Sequence, residues 1–164
     1  MIDDISHERL RNVNPRLATA IRQMAEMLAQ ENIFFRVTQG LRPWSIQDSL
    51  FAQGRTLAGE IITHARGGES WHNFGMAVDL AVERDGGIDW NADHPAWKRM
   101  IQVGEMLGLY SGSHFRTFPD NPHFQMTGSF PISPNDEVRM IFKHVGMEGV
   151  WVEAGLFDRG EVFV

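Results

Sequence analysis

The sequence predicts an α+β domain, on two observations. Strand-like segments alternate with amphipathic helices at unequal spacing, and no regular βαβ period or internal repeat runs through the 164 residues. The length suits one domain with a real core and room for a small appendage.

The first clear helix runs from Pro15 to about Glu31. Asn14 suits the N-cap and Pro15 the first helical position, and Leu17, Ile21, Met24 and Leu28 form an apolar stripe. Ile33–Thr38 is β-branched and aromatic and reads as a strand. Gly40 and Pro43 mark a turn, and Ser45 to Gln53 reads as a short helix ended by Gly54. Met76–Glu83 is a second strand, closed by the turn residues Asp85, Gly86 and Gly87. A helix begins at Pro95, turns Trp97, Met100, Ile101 and Leu107 inward, and stops at Gly108. His123–Met126 follows as a short strand. Ser133 and Pro134 then read as the N-cap and first turn of a last helix with Val138, Ile141, Phe142 and Val145 on one face.

Composition limits the chemistry. The chain has no cysteine and seven histidines, so a disulfide framework, a thiol nucleophile and a zinc ribbon are excluded, and a transition metal must be held by histidine and carboxylate. The net charge is −6, and fifteen Lys and Arg residues are spread without a basic cluster, which argues against a nucleic-acid partner. No apolar run approaches the roughly 18–20 residues of a membrane span. The start, MIDDISHERLRN, is acidic and polar, unlike a signal peptide.

Two segments concentrate reactive side chains. Ser70–Asp79 reads SWHNFGMAVD, and Asp120–His123 reads DNPH. His72 and Asp79 are too far apart for adjacent turns of one helix, but a loop histidine leading to a strand aspartate can bring both to one point. Two imidazoles and a carboxylate suit zinc and leave a fourth position for water; a further carboxylate is what a metal hydrolase needs to take that water's proton. Considered singly, such histidines are more often core or surface residues.

The wording of the segments adds to this. SWHNFGMAVD matches S-x-H-x-x-G-x-A-x-D at every fixed position and resembles the signature of the zinc D-Ala-D-Ala carboxypeptidase and L-alanyl-D-glutamate endopeptidase family, which includes many phage endolysins. DNPHFQ resembles that family's second signature, a carboxylate three residues before a metal histidine. VTQGLRPWSIQDSLFAQGRT is similar to its strand, Gly-x-Arg turn and helix, and SHERLRNVNPRL to its lead-in helix. The resemblance spans about residues 6–127.

It implies a Hedgehog/D-Ala-D-Ala-peptidase-like fold, a small antiparallel sheet flanked by helices. It further implies one zinc ion per chain held by His72, Asp79 and His123, with Asp120 as general base. Arg42 would hold a substrate carboxylate or a developing oxyanion, and Ser70 would orient by hydrogen bonding. His114 is expected to contact substrate, and His64 to line the same groove. His7, His94 and His144 are set aside as surface or structural residues, and Asp85, Asp89 and Asp93 as a solvated loop. Trp44, Trp71, Trp90, Trp97 and Trp151 are expected mostly in the core, Trp71 also flanking the groove. Ser111 stands where the family commonly has glycine, which bears on substrate preference.

The domain organisation implied is a zinc peptidase domain, 1–127, with a C-terminal helical extension, 128–164, packed on it. The expected activity is hydrolysis of the peptidoglycan stem peptide by an L-alanyl-D-glutamate endopeptidase acting as a phage-type endolysin. Such an enzyme is made in the cytoplasm without a signal peptide, acts on the wall after release, and is expected to be a monomer. The alternatives are a D-Ala-D-Ala carboxypeptidase and a non-catalytic, zinc-stabilised binding module.

Overall fold

The computed structural model describes residues 2–158, so the last six positions of the expected extension, 159–164, lie outside the described residues. A short helix absent from the periodicity reading, α1 (Asp4–Leu10), opens the chain where the family's lead-in helix was expected. Next come α2 (Pro15–Ala29), β1 (Phe34–Gln39) and α3 (Trp44–Ala52). After a long irregular stretch, a one-turn 3₁₀ helix (Trp71–Phe74) leads into β2 (Ala77–Arg84), β3 (Gly87–Ile88) and α4 (Pro95–Met106). The chain closes with β4 (Tyr110–Ser111), β5 (His123–Gln125) and α5 (Asp136–Glu153). The predicted elements fall within one or two residues of these bounds, the usual uncertainty of helix and strand ends.

Among the described residues five strands form one antiparallel sheet, ordered β1–β2–β5–β4, with β3 paired to the end of β2. The β2–β3 hairpin turns on Asp85 and Gly86, both with positive φ (54° and 80°). That is the Asp-Gly arrangement whose twist suits a two-residue hairpin, and it leaves Gly87 in the strand rather than in the turn. α1 covers β1: Ser6 Oγ accepts the Val37 N–H at 2.9 Å, and Arg9 Nη1 donates to the Val37 carbonyl at 2.6 Å.

Two cores flank the sheet. The larger packs α2 (Leu17, Ile21, Met24, Leu28) and α4 (Trp97, Met100, Val103) against Val78, Leu80 and Val82 of β2 and Phe124 of β5. The smaller joins Trp71 and Phe74 of the 3₁₀ turn to Val138, Val150 and Trp151 of α5. Asn14 does cap α2, its Oδ1 accepting from the N–H groups of Arg16 and Leu17, while its Nδ2 donates across to the Leu156 carbonyl.

Two expectations about packing need correction. The cap of the last helix is Asn135, whose Oδ1 accepts the Val138 N–H at 3.0 Å, and not Ser133. Pro134 biases Ser133 to extended backbone, so the helix starts only beyond it. Val145 is 56% exposed, because Gly146 (φ 77°, ψ −172°) breaks α5 and ends the stripe of Val138, Ile141 and Phe142. Trp90 is likewise no core residue: it is 61% exposed and lies at a tilt against the buried Trp97.

The smaller core holds the 3₁₀ turn in place. Its closing residue, Gly75, has φ 64°, and a Cβ there would lie 2.9 Å from the Asn12 carbonyl oxygen, so only glycine fits without strain. Trp151 Nε1 donates to the buried Phe74 carbonyl at 2.7 Å. Replacing Trp151→Phe should leave that carbonyl unsatisfied and cost about 1–3 kcal/mol. Thermal unfolding should show the midpoint falling by roughly 2–10 °C; an unchanged midpoint would mean the bond contributes nothing.

Candidate metal centre and active site

The sheet register brings the reactive residues together. Asp79 on β2 stands directly opposite His123 on β5, so both side chains emerge on the same face. His72 reaches that face from the 3₁₀ turn. Ser70 caps the turn: its Oγ accepts the His72 N–H, its own N–H donates to Asn73 Oδ1, and Asn73 Nδ2 donates to the Arg42 carbonyl. Arg42 N–H in turn donates to the His72 carbonyl at 3.0 Å. The Gly-x-Arg turn and the histidine turn are thereby stitched side by side.

His72, Asp79 and His123 each present one ligand atom, all within 4.8 Å of one another. The outer nitrogen of each imidazole is bound to a fixed acceptor. His72 Nδ1 donates to the Gly40 carbonyl at 2.9 Å, and His123 Nε2 to Gln125 Oε1 at 2.8 Å. The Gln125 amide cannot turn round, since its Nε2 donates to the Ile132 carbonyl at 2.8 Å. Both rings therefore aim a lone pair inward: His72 Nε2 and His123 Nδ1 lie 3.2 Å apart, with Asp79 Oδ1 3.0 Å from the former and 3.5 Å from the latter. Two lone pairs and a carboxylate at that range repel unless a positive charge lies among them.

The electrostatics say the same. Burial opposes ionisation of Asp79, but the two imidazoles outweigh it and hold the carboxyl well below the usual range. Burial also opposes a charged His123, but its bonds to Asp79 and Gln125 raise its affinity for a proton. Two nitrogens and one hard oxygen, oriented by outer hydrogen bonds, fit a zinc ion held by three protein ligands with an open fourth position.

Arg42 braces this centre. Its Nη2 donates to Asp79 Oδ2 at 3.1 Å and its Nη1 to the buried Gln47 Oε1 at 2.9 Å, while Nε is buried with no partner. Asp79 Oδ2 is thus engaged, and Oδ1 alone faces the imidazoles. Asp120 lines the same cleft. Burial lifts its carboxyl above the ordinary range, and the charge of Asp79 adds to this. A cleft of ≈ 1040 Å³ opens over the centre and is also lined by Ser70, His64 and His114. His64 meets Phe118 edge to face across 5.2 Å, and His114 Nε2 bonds Glu105 Oε1 at 2.5 Å. Trp71, almost fully buried, still contributes to the cleft wall.

The structure thus brings Arg42, Ser70, His72, Asp79, His114, Asp120 and His123 to one cleft. Residues missed from the sequence are the supports: Gly40, Gln47, Asn73 and Gln125. Only Gln125 carried a signal, because a residue two after His123 in a strand shares its face. Replacing Gln125→Leu should free the His123 ring to turn and lower zinc affinity about 10–100-fold in a chelator competition titration. Affinity equal to that of the unaltered chain would show that the bond does not orient His123.

Comparison with known proteins places this cleft among peptidases. A family model described as D-alanyl-D-alanine carboxypeptidase matches residues 63–126, which include His72, Asp79, Asp120 and His123. The chain is 36% identical over 118 residues to the peptidoglycan L-alanyl-D-glutamate endopeptidase CwlK of Bacillus subtilis (strain 168), covering 65% of this chain and 71% of that protein. The crystal structure of the Serratia marcescens L-Ala D-Glu endopeptidase ChiX superposes with a TM-score of 0.57 at 26% identity, over 76% of this chain and 87% of that one. The LD-carboxypeptidase LdcB shares the fold at a TM-score of 0.57 and 18% identity, over 88% of this chain and 70% of its own. The α+β sheet, the two signatures and the likeness to CwlK agree, and the chain belongs to the zinc peptidase family of D-alanyl-D-alanine carboxypeptidases and L-alanyl-D-glutamate endopeptidases.

Proposed function

We propose that this chain hydrolyses the L-alanyl-D-glutamate bond of the peptidoglycan stem peptide, with one zinc ion held by His72 Nε2, Asp79 Oδ1 and His123 Nδ1. The observation that carries the reading is the pair of inward lone pairs, locked by Gly40 and Gln125, in the cleft that the half-buried Asp120 also lines. The endopeptidase is favoured over the carboxypeptidase by the likeness to CwlK and ChiX, both named for the L-Ala–D-Glu bond.

A bound zinc ion supplies Lewis-acid polarisation of the scissile carbonyl and acidifies a water to a pKa of about 7. The protein's own groups do the rest. Asp120 takes a proton from the attacking water at a carboxylate oxygen as the new C–O bond forms. It then gives that proton to the departing amine as the C–N bond breaks. Burial, with the charge of Asp79, shifts its carboxyl upward, in the direction that favours accepting and then returning a proton. Arg42 holds Asp79 in place through its bond to Oδ2 and sets a positive charge in the cleft wall, where it would favour a developing oxyanion. Ser70 acts through the turn it caps, and His114, bonded to Glu105 at the cleft lining, is the further residue assigned to substrate contact.

The peptidase unit is taken as residues 1–127 and the extension as 128–164, and the described part of the extension supports this: Val138 and Trp151 share a core with Trp71 and Phe74, which bracket His72. The place of action is the cell wall, reached on release at lysis in the manner of a phage endolysin, by a monomer. No helix among the described residues is long and apolar enough to cross a membrane.

Digestion of purified peptidoglycan by the zinc-loaded protein, followed by mass spectrometry, should yield fragments with a new N-terminal D-Glu. Released D-alanine in their place would transfer the assignment to the D-Ala-D-Ala carboxypeptidase, and no cleavage at all would favour the non-catalytic binding module. Asp120→Asn should keep zinc and lose about 10²–10⁴-fold in turnover, whereas His123→Ala should lose the metal. Full activity in Asp120→Asn would overturn its assignment as base.

A further inference from the structure

We propose that Arg116 binds the free α-carboxylate of the residue that departs with the scissile nitrogen, and that it thereby selects which peptides the cleft cuts; this rests on the endopeptidase reading above. Three arginines line the cleft. Arg42 is committed to Asp79 and Gln47. Arg139 is committed as well, its Nη1 to the Gly68 and Pro134 carbonyls and its Nη2 to Asp136 Oδ1 at 2.6 Å. Arg116 is exposed, and among the described residues nothing pairs with it.

The backbone that carries it is nevertheless held beside the metal centre. The Gly112 carbonyl accepts both the Phe115 N–H at 3.0 Å and the Asp120 N–H at 2.9 Å, closing residues 112–120 into an arc. The Phe115 ring stacks on Tyr110 and lies 5.8 Å from it, and tilts over His123 at 5.4 Å. Gly112 packs so closely that a Cβ would come 2.5 Å from the Asp120 carbonyl oxygen and 2.8 Å from His123 Cβ. Arg116 is therefore one residue from the ring that covers a metal-ligand histidine and four from the proposed base. Its guanidinium is thus left free to meet a group that enters the cleft.

The substrate supplies the counterpart. In the stem peptide glutamate is joined onward through its side-chain carboxyl, which leaves its α-carboxylate free on the carbon bonded to the scissile nitrogen. That charge would enter a cleft whose lining includes the carboxylates of Asp79 and Asp120. A guanidinium fork is the group suited to receive it.

The test compares synthetic L-Ala–γ-D-Glu peptides bearing a free α-carboxyl or an α-carboxamide. Zinc-loaded wild-type protein should cut the acid about tenfold better in kcat/KM, chiefly through KM. Arg116→Ala should cut the acid no better than the amide, with unchanged circular dichroism and Tm, and Arg116→Lys should restore part of the preference. An acid preference unchanged in Arg116→Ala would overturn the proposal. Calorimetry gives a readout independent of turnover: in the Asp120→Asn background, Arg116→Ala should weaken binding of a product peptide beginning with D-Glu by about tenfold, and equal affinity would count against it. If the protein releases D-alanine instead, the endopeptidase reading fails while this one remains testable. The departing D-alanine also carries an α-carboxylate beside the scissile nitrogen, so pentapeptides with a free or amidated C-terminus should show the same Arg116-dependent ratio, and its absence would refute the role.

Discussion

The structure turns on a repulsion that the fold enforces. Asp79 and His123 are paired across two strands, and the outer nitrogens of both imidazoles are held by Gly40 and Gln125. Neither ring can swing its inward lone pair away without leaving a buried carbonyl or amide unsatisfied. The protein therefore maintains a small region that favours positive charge, and much of its architecture serves to keep that region rigid.

Rigidity comes from both sides. Behind the sheet, α2 and α4 bury β2 and fix the register that sets Asp79 against His123. In front, α5 and the aromatic cluster of Trp71, Phe74 and Trp151 hold the 3₁₀ turn from which His72 projects. Ile132, just ahead of α5, accepts from both Trp71 Nε1 and Gln125 Nε2, so one carbonyl links the packing of the turn to the orientation of the His123 ring. The C-terminal segment is thus joined to the metal centre by hydrogen bonds as well as by apolar contact. Arg42 completes the frame by occupying one oxygen of Asp79 and leaving the other to the cluster.

Much of this was legible in the residues. The Asn14 cap, the stripes on α2 and α4 and the Asp-Gly turn are local signals and form where the pattern places them, except that Gly87 falls in β3 rather than in the turn. The signatures around His72 and His123 marked the centre because the ligands and their spacers sit together in the chain. The structure departs from the pattern where a neighbouring Gly or Pro redirects the backbone, or where hydrophobicity does not bring burial. Val145 continues an apolar stripe that Gly146 cuts short, Trp90 is hydrophobic yet exposed, and Asn135 rather than Ser133 caps α5 because Pro134 shifts the helix start.

What the sequence by itself determined is the kind of chemistry: no thiols, a histidine–aspartate–histidine set, a further carboxylate, and the helices and strands that carry them. What only the tertiary structure decided is which nitrogen of each ring faces the metal position, which oxygen of Asp79 is free, and which arginine is left for substrate. Those choices depend on acceptors supplied by residues distant in sequence, Gly40 for His72 and Ile132 by way of Gln125 for His123, and on Gln47 and Asp136 occupying the other two cleft arginines. A hydrogen bond between distant segments exists only once folding has brought them within about 3 Å of each other, and so no local pattern encodes it.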